Sequence, residues 1–294
     1  MNTRYWHRAG TTLATRPLAS PALILLGLIL AFVLLWPVVS PYDPNEVNFD
    51  LSRQSPSPAH PFGTDQFGRD LMTRLAAGGR TTLLIVVIAV AIIAVLGISY
   101  GAISALGGRM TDGFLMRVLD GLLALPRIPI AIVILATFSL NAQNVQAVAL
   151  ALGVVGWMLT ARLVRGQLIS LREEDYVHAA RALGARRRQL LRRHLLPNSS
   201  TVLAVALLLE LPTIVIGEAF LAVLGLGPQP PTATWGNIIE EGLHFGRVWQ
   251  MTLGTAMIVL FVLTVNVIVD ALGESLDPRS QVARRSPTVR RAEA

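Results

Sequence analysis

The chain contains no cysteine. That excludes a disulfide framework, a thiolate metal site and a thiol nucleophile. Lysine is absent too, so all 25 basic side chains are arginines. A phosphate-binding P-loop needs the lysine of its Gly-Lys-Ser/Thr end to reach the nucleotide phosphates. This chain therefore carries none, and any ATP that drives it is bound by another chain. A lysine Schiff base is excluded on the same ground. Charged residues make up only 15% of the sequence, and no separate stretch is polar enough to form a soluble domain of any size.

What the chain has instead is long apolar runs. A helix needs about 20 apolar residues to cross a bilayer, and six stretches meet that length: residues 19–39, 81–106, 112–140, 145–164, 201–224 and 250–272. The first is too long for a signal-peptide core, and no small-residue cleavage site follows it, so it reads as a retained span. The third begins amphipathically at Asp112, carries Arg117, Asp120 and Arg127, and should bend at Pro126 and Pro129. Asp120 is close enough in sequence to pair with Arg117. The fifth contains two carboxylates, Glu210 and Glu218. They are eight residues apart, roughly 12 Å along a helix at about 1.5 Å per residue, and on roughly the same face. Carboxylates are expensive in hydrocarbon; they either line a polar passage or pair with neighbouring subunits.

Two loops stand out. Residues 40–80 are polar and proline-rich, and within them GTDQFGRD reads as a tight turn on Gly63 and Gly68 rather than a metal site built from His60, Asp65 and Asp70. Residues 225–249, rich in proline, glycine and aromatics, suit a short re-entrant or surface segment. The most polar stretch in the body of the chain is 171–198, LREEDYVHAARALGARRRQLLRRHLLPN. It reads as two short helices hinged at Gly184 and stopped by Pro197. Tyr176, Ala180 and Leu183 share one face of the first. Leu190, Leu191, His194 and Leu195 form a stripe on the second, with Arg186, Arg187, Arg188, Arg192 and Arg193 around the rest.

The net charge of +7 does not point to nucleic acid, because the arginines cluster beside spans as topology signals do. Six spans place both termini on one side. That side receives Arg4, Arg8, Arg16, Arg109, Arg117, the 171–198 cluster and the basic tail, leaving Arg53, Arg69, Arg74, Arg80 and Arg247 on the other. The positive-inside rule makes the first side cytoplasmic. A cytoplasmic basic hairpin between spans either lies on anionic lipid or docks into a partner protein and transmits motion.

The hairpin resembles the "EAA" loop of binding-protein-dependent ABC importer permeases: Glu-Ala-Ala, three residues, Gly, nine residues, Ile-x-Leu-Pro. Here it reads His178-Ala179-Ala180, Gly184, then His194-Leu195-Leu196-Pro197, with the spacing kept at every step. His178 stands where the family has glutamate, and His194 stands at the isoleucine position. GTDQFGRD, MRVLDGLLALP, DYVHAARALGA, HLLPN, GEAFLAVLGLGPQPPTATWG and LDPR together are similar to the C-subunit side of the dipeptide/oligopeptide/nickel permeases, over residues 41–279.

The resemblance implies an all-α integral membrane fold of about six transmembrane helices with a cytoplasmic coupling-helix hairpin, the type I ABC importer permease fold (MetI-like). It divides the chain into residues 1–80 (N-terminal segment, first span and extracytoplasmic loop), a permease core at 81–276 and a basic tail at 277–294. Coupling to the ATPase would fall to Tyr176, His178, Ala179, Ala180, Gly184, Arg187 and Pro197, with Glu210 and Glu218 lining the pathway, no catalytic residue and no metal. The chain itself would hold no cofactor. Its partners would be a second, B-type permease, two ATP-binding cassette subunits holding ATP and Mg, an extracytoplasmic substrate-binding protein and the lipid of a bacterial inner membrane, but no nucleic acid. Short peptides are the favoured substrates; nickel or other metal chelates, glutathione and opines use the same architecture. A proton-coupled transporter using Glu210, Glu218 and Asp270, and a membrane scaffold, are the other classes. A secondary transporter would be built on an inverted repeat, and none is seen.

Overall fold

The computed structural model describes residues 18–137 and 144–276. The N-terminal arginines, the end of the third span at Leu140 and the basic tail lie outside the described residues. Among the described residues the chain is helical, apart from loops and one isolated Thr64–Asp70 bridge. Five helical runs are long and apolar enough to cross a membrane, and a bent pair makes up to six.

α1 (Ala19–Val39) is apolar on every side. α2 (Leu71–Leu106) starts well before the expected residue 81. Asp70 caps it, accepting from Thr73 N at 2.8 Å, and its polar first turns are buried in ionic contacts instead of forming a loop. α3 (Arg109–Leu123) and α4 (Arg127–Thr137) meet at 89°. The break falls at Pro126, a residue that disfavours helix in the residue before it. α5 (Val145–Arg172), capped by Asn144, runs past the expected 164.

After α6 (Asp175–Ala182) comes α7 (Arg187–Leu190), a π-turn over Leu191–Leu195, α8 (Leu196–Leu208) and α9 (Glu210–Val223). The sequence reading that Pro197 stops the hairpin is corrected here. Pro197 sits in the first turn of α8, where its missing N–H is tolerated, and the preceding π-turn absorbs the change in hydrogen bonding. The hairpin's second arm therefore runs straight into the next span. Residues 225–249 hold a further short helix, α10 (Trp235–His244), and α11 (Val248–Leu276) closes the described chain.

The α2–α5 contact is the most extensive between helices. Lipid offers no hydrophobic drive for helix pairing, so small residues that let backbones approach carry it. Gly97 and Gly101 of α2 lie against Thr160, Ala161 and Val164 of α5, and Gly153 and Gly156 of α5 lie against Ile92 and Ile93. A Cβ on Gly101 would stand 2.6 Å from the Ala161 carbonyl oxygen.

At the far end of α2, α10 packs across its first turns. Trp235, fully buried, donates Nε1–H to the Leu75 carbonyl at 3.0 Å and its backbone N–H to Thr82 Oγ1 at 3.2 Å.

Gly101→Leu is expected to lower the thermal midpoint of the detergent-purified protein, by about 1–3 kcal/mol of overpacking. Gly27→Leu, at a site with nothing within 4 Å, should leave the midpoint unchanged in the same melt.

Candidate functional site

The hairpin is built on a helix C-terminus. Gly184 has φ +86°, the left-handed conformation that glycine adopts without penalty. Gly184 N donates to Arg181 O at 2.9 Å and Ala185 N to Ala180 O at 3.0 Å. This is the paired bonding of a Schellman cap, and it fixes the turn between α6 and α7. The hairpin then docks on the ends of α2 and α5. Val177, Leu190 and Leu195 are buried against Ala102, Ala105, Val164 and Leu168, with Tyr176, Ala180 and Ala185 packed alongside.

This geometry corrects the sequence reading of the hairpin's faces. Tyr176 and Ala180 turn inward, and the Tyr176 ring lies 6.4 Å from that of His194. Leu183, expected to share their face, is 89% exposed. His178, Ala179, Ala182, Leu183 and Gly184 form the open face of α6, and Arg186, Arg187 and Arg188 continue it onto α7. A cavity of 360 Å³ opens among Arg186, Arg188, Gln189, Arg192 and Arg193.

Ionic contacts secure the helix ends beside the hairpin. Asp112 of α3 accepts from Arg165 Nε at 2.6 Å and Nη2 at 2.5 Å, and from Ser104 Oγ at 2.5 Å. Asp120 pairs with Arg162 of α5, not with Arg117 as its spacing suggested. Arg172 donates to the Ala105 carbonyl. These pairs cross between helices, so local spacing could not reveal them.

Within the membrane-crossing body the two carboxylates part company. Glu210, the first residue of α9, accepts from Arg127 Nη1 at 3.5 Å; Arg127 is the first residue of α4. A cavity of 30 Å³, room for one water molecule, is lined by Arg127, Ile128, Leu152, Val155, Gly156, Glu210, Thr213 and Ile214. Glu218 faces the other way. It is fully buried between α9 and α10, facing Thr234 and the Gly236 backbone, and neither carboxylate oxygen makes a close hydrogen bond. The expectation of one shared carboxylate face gives way to two separate environments. Arg127 as the partner of Glu210 was missed; its signal was a lone cation just after a proline inside an apolar span.

At the opposite end from the hairpin, GTDQFGRD does more than turn. Gly63 and Gly68 have φ +74° and +76°, as a tight turn requires, but the intervening charges enter a buried network. Arg69 Nε bonds Asp65 at 2.6 Å and its Nη2 bonds Glu241 of α10 at 2.8 Å. Arg74 reaches the same pair, with Nη2–Glu241 at 2.9 Å and Nε–Asp65 at 3.4 Å. His60 Nδ1 lies 3.0 Å from Asp70. Asp65 and Asp70 are thus engaged with arginine, histidine and a helix cap. Glu240, beside the network on α10, has its carboxyl raised above the usual range by burial and by the charge of Glu241, opposed by His244.

Glu241→Ala would leave two buried arginines facing one carboxylate. Removing one partner of a buried pair costs about 3–5 kcal/mol, so the variant should melt well below wild type and expose the 40–70 loop to protease. Glu241→Gln, which keeps an acceptor, should fall between.

Against this geometry, comparison with known proteins is specific. Residues 97–282 match the family model described as binding-protein-dependent transport system inner membrane component. Residues 4–56 match the one described as the N-terminal TM domain of oligopeptide transport permease C. A putative peptide permease protein of Brucella suis biovar 1 is 37% identical over 264 residues, covering 88% of this chain and 86% of the relative. The oligopeptide transport system permease protein OppC of Bacillus subtilis is 33% identical over 276 residues, covering 93% and 90%. The dipeptide transport system permease protein DppC of the same organism is 32% identical over 278 residues, covering 94% and 86%. Two inward-facing crystal forms of the MetNI methionine ABC transporter share the fold at TM-scores of 0.56 and 0.57 and 20% identity; they cover 69% and 70% of this chain and 96% and 98% of the matched chain.

Proposed function

We infer the function from one premise: this chain belongs to the family of binding-protein-dependent transport system inner membrane components. It is a multi-pass permease subunit of an ABC importer, and its substrates are di- and oligopeptides, the class named for its relatives. ATP and Mg are bound by two ATP-binding cassette subunits, since a chain without lysine has no P-loop. A second, B-type permease completes the pathway, and an extracytoplasmic binding protein delivers the peptide. Both termini and the hairpin face the cytoplasm of a bacterial inner membrane, in keeping with the arginine distribution. Residues 81–276 act as the permease core.

The observation that carries this reading is the hairpin. The Schellman turn at Gly184 holds α6 and α7 in one arrangement, and the second arm continues into α8 and α9. A push on α6 therefore reaches the membrane body through a stiff element rather than a loose loop, as a two-position switch requires. The ATPase contact is the open face: His178, Ala179, Ala182, Leu183 and Gly184, flanked by Arg187. Tyr176 and Ala180 support it from beneath, and Pro197 lies where the arm enters the span. A helix seated in a groove needs no carboxylate at position 178. Glu210 lines the pathway, whereas Glu218 is enclosed between α9 and α10. The chain performs no bond chemistry of its own.

No atom stands within 4 Å of a Cβ built at Gly184, so substitution there tests backbone conformation alone. A left-handed backbone costs a non-glycine residue about 1–2 kcal/mol, least for asparagine. Gly184→Val should abolish ATP-driven peptide uptake with membrane insertion intact, and Gly184→Asn should retain most of it. Normal uptake by the valine variant would refute the coupling role of the turn.

A further inference from the structure

Arg127 and Glu210 form an ion pair that is poorly suited to a purely structural role. Glu210 is almost completely buried, its side chain 4% exposed, whereas Arg127 is 31% exposed. Their single contact is 3.5 Å long, at the weak end of hydrogen-bond geometry and not the bidentate fork that arginine forms with carboxylate at its best. Among the described residues it is the only side-chain hydrogen bond of either group. Four of the five guanidinium N–H donors are left over. Facing hydrocarbon, such incomplete pairing would be costly. The free donors of Arg127 therefore meet water, a polar ligand or the partner permease rather than hydrocarbon.

The pair borders a cavity with room for one water molecule. Arg127 starts α4 just after the 89° bend, and Glu210 faces it from the continuous α8–α9 run, whose junction residue Leu209 keeps helical torsions. Ionisable side chains inside spans mark substrate and ion pathways. The wall opposite is Gly156, whose Cβ, if it had one, would stand 3.8 Å from Glu210 Oε2. Gly156 and Glu210 both line the 30 Å³ cavity. Arginine is long and flexible at its stem, so a loosely held guanidinium can swing away from its partner at little cost.

We propose that Arg127 and Glu210 read the terminal charges of the passing peptide, exchanging their mutual contact for contacts to the substrate. Glu210 takes the α-ammonium group and Arg127 the α-carboxylate. A dipeptide engages both, and a longer peptide engages one at a time. No bond is made or broken. This rests on the peptide-importer reading above and gives it a residue-level basis within the membrane.

The test uses the complete importer in liposomes, with the binding protein saturated with Ala-Ala, and measures dipeptide uptake per ATP hydrolysed. Arg127→Gln and Glu210→Gln should each lower that ratio about ten-fold or more, the scale of one lost charge-assisted hydrogen bond. The double variant decides between roles. If the pair only neutralises itself, removing both charges restores uptake; if it reads the peptide, the double variant is as impaired as either single one. Uptake restored in the double variant, or single variants that lose ATP hydrolysis in parallel with uptake, would overturn the inference while leaving the importer intact. A wild-type complex that does not accumulate Ala-Ala would overturn the peptide reading and this inference together.

Discussion

The close approach of α2 and α5 is the constraint on which the remainder of the molecule depends. In lipid, apolar side chains gain little by leaving their surroundings for one another, so helices pair where small residues let backbones touch. Gly97 and Gly101 on one helix and Gly153 and Gly156 on the other supply that contact. One end of the pair carries the hairpin, through Ala102, Ala105, Val164 and Leu168. The other end of α2 carries α10 and the buried ionic network. The wall of the Arg127–Glu210 cavity is part of the same seam, because Gly156 belongs to both.

Charges are used differently at the three levels. At the hairpin end, Asp112 and Asp120 bind arginines of α5 on partly open surfaces, where such pairs hold orientation more than they stabilise. At the opposite end, Asp65, Arg69, Arg74 and Glu241 are almost wholly enclosed, and each depends on the others being present. Between them, Arg127 and Glu210 are neither open nor fully satisfied. The proposed substrate contact rests on that intermediate state.

In the proposed function, a local motif of the hairpin takes on a mechanical role. Its Gly184 turn is a Schellman cap found at many helix ends. Here it joins the exposed α6 to an arm that runs unbroken into a span, because the π-turn over Leu191–Leu195 lets the chain pass Pro197 without stopping. Reading proline as a stop is sound in isolation; it fails here because the helix begins again at the one place where proline lacks nothing.

The spans, the bend at Pro126 and the glycine turn at Gly184 were all legible in the sequence. Each rests on local quantities: hydropathy over one helix length and the restricted torsions of proline and glycine. The family was legible for the same reason, through short blocks of fixed spacing. The partners of the charges were not. Asp120 is next to Arg117 in the chain but bonds Arg162, and Arg69 bonds a carboxylate 172 residues away. Nor could spacing tell that Tyr176 turns inward while Leu183 turns outward, or that Glu210 opens on a cavity while Glu218 is sealed behind α10. Those outcomes depend on which helix lies against which face, and only the packing of distant segments decides that.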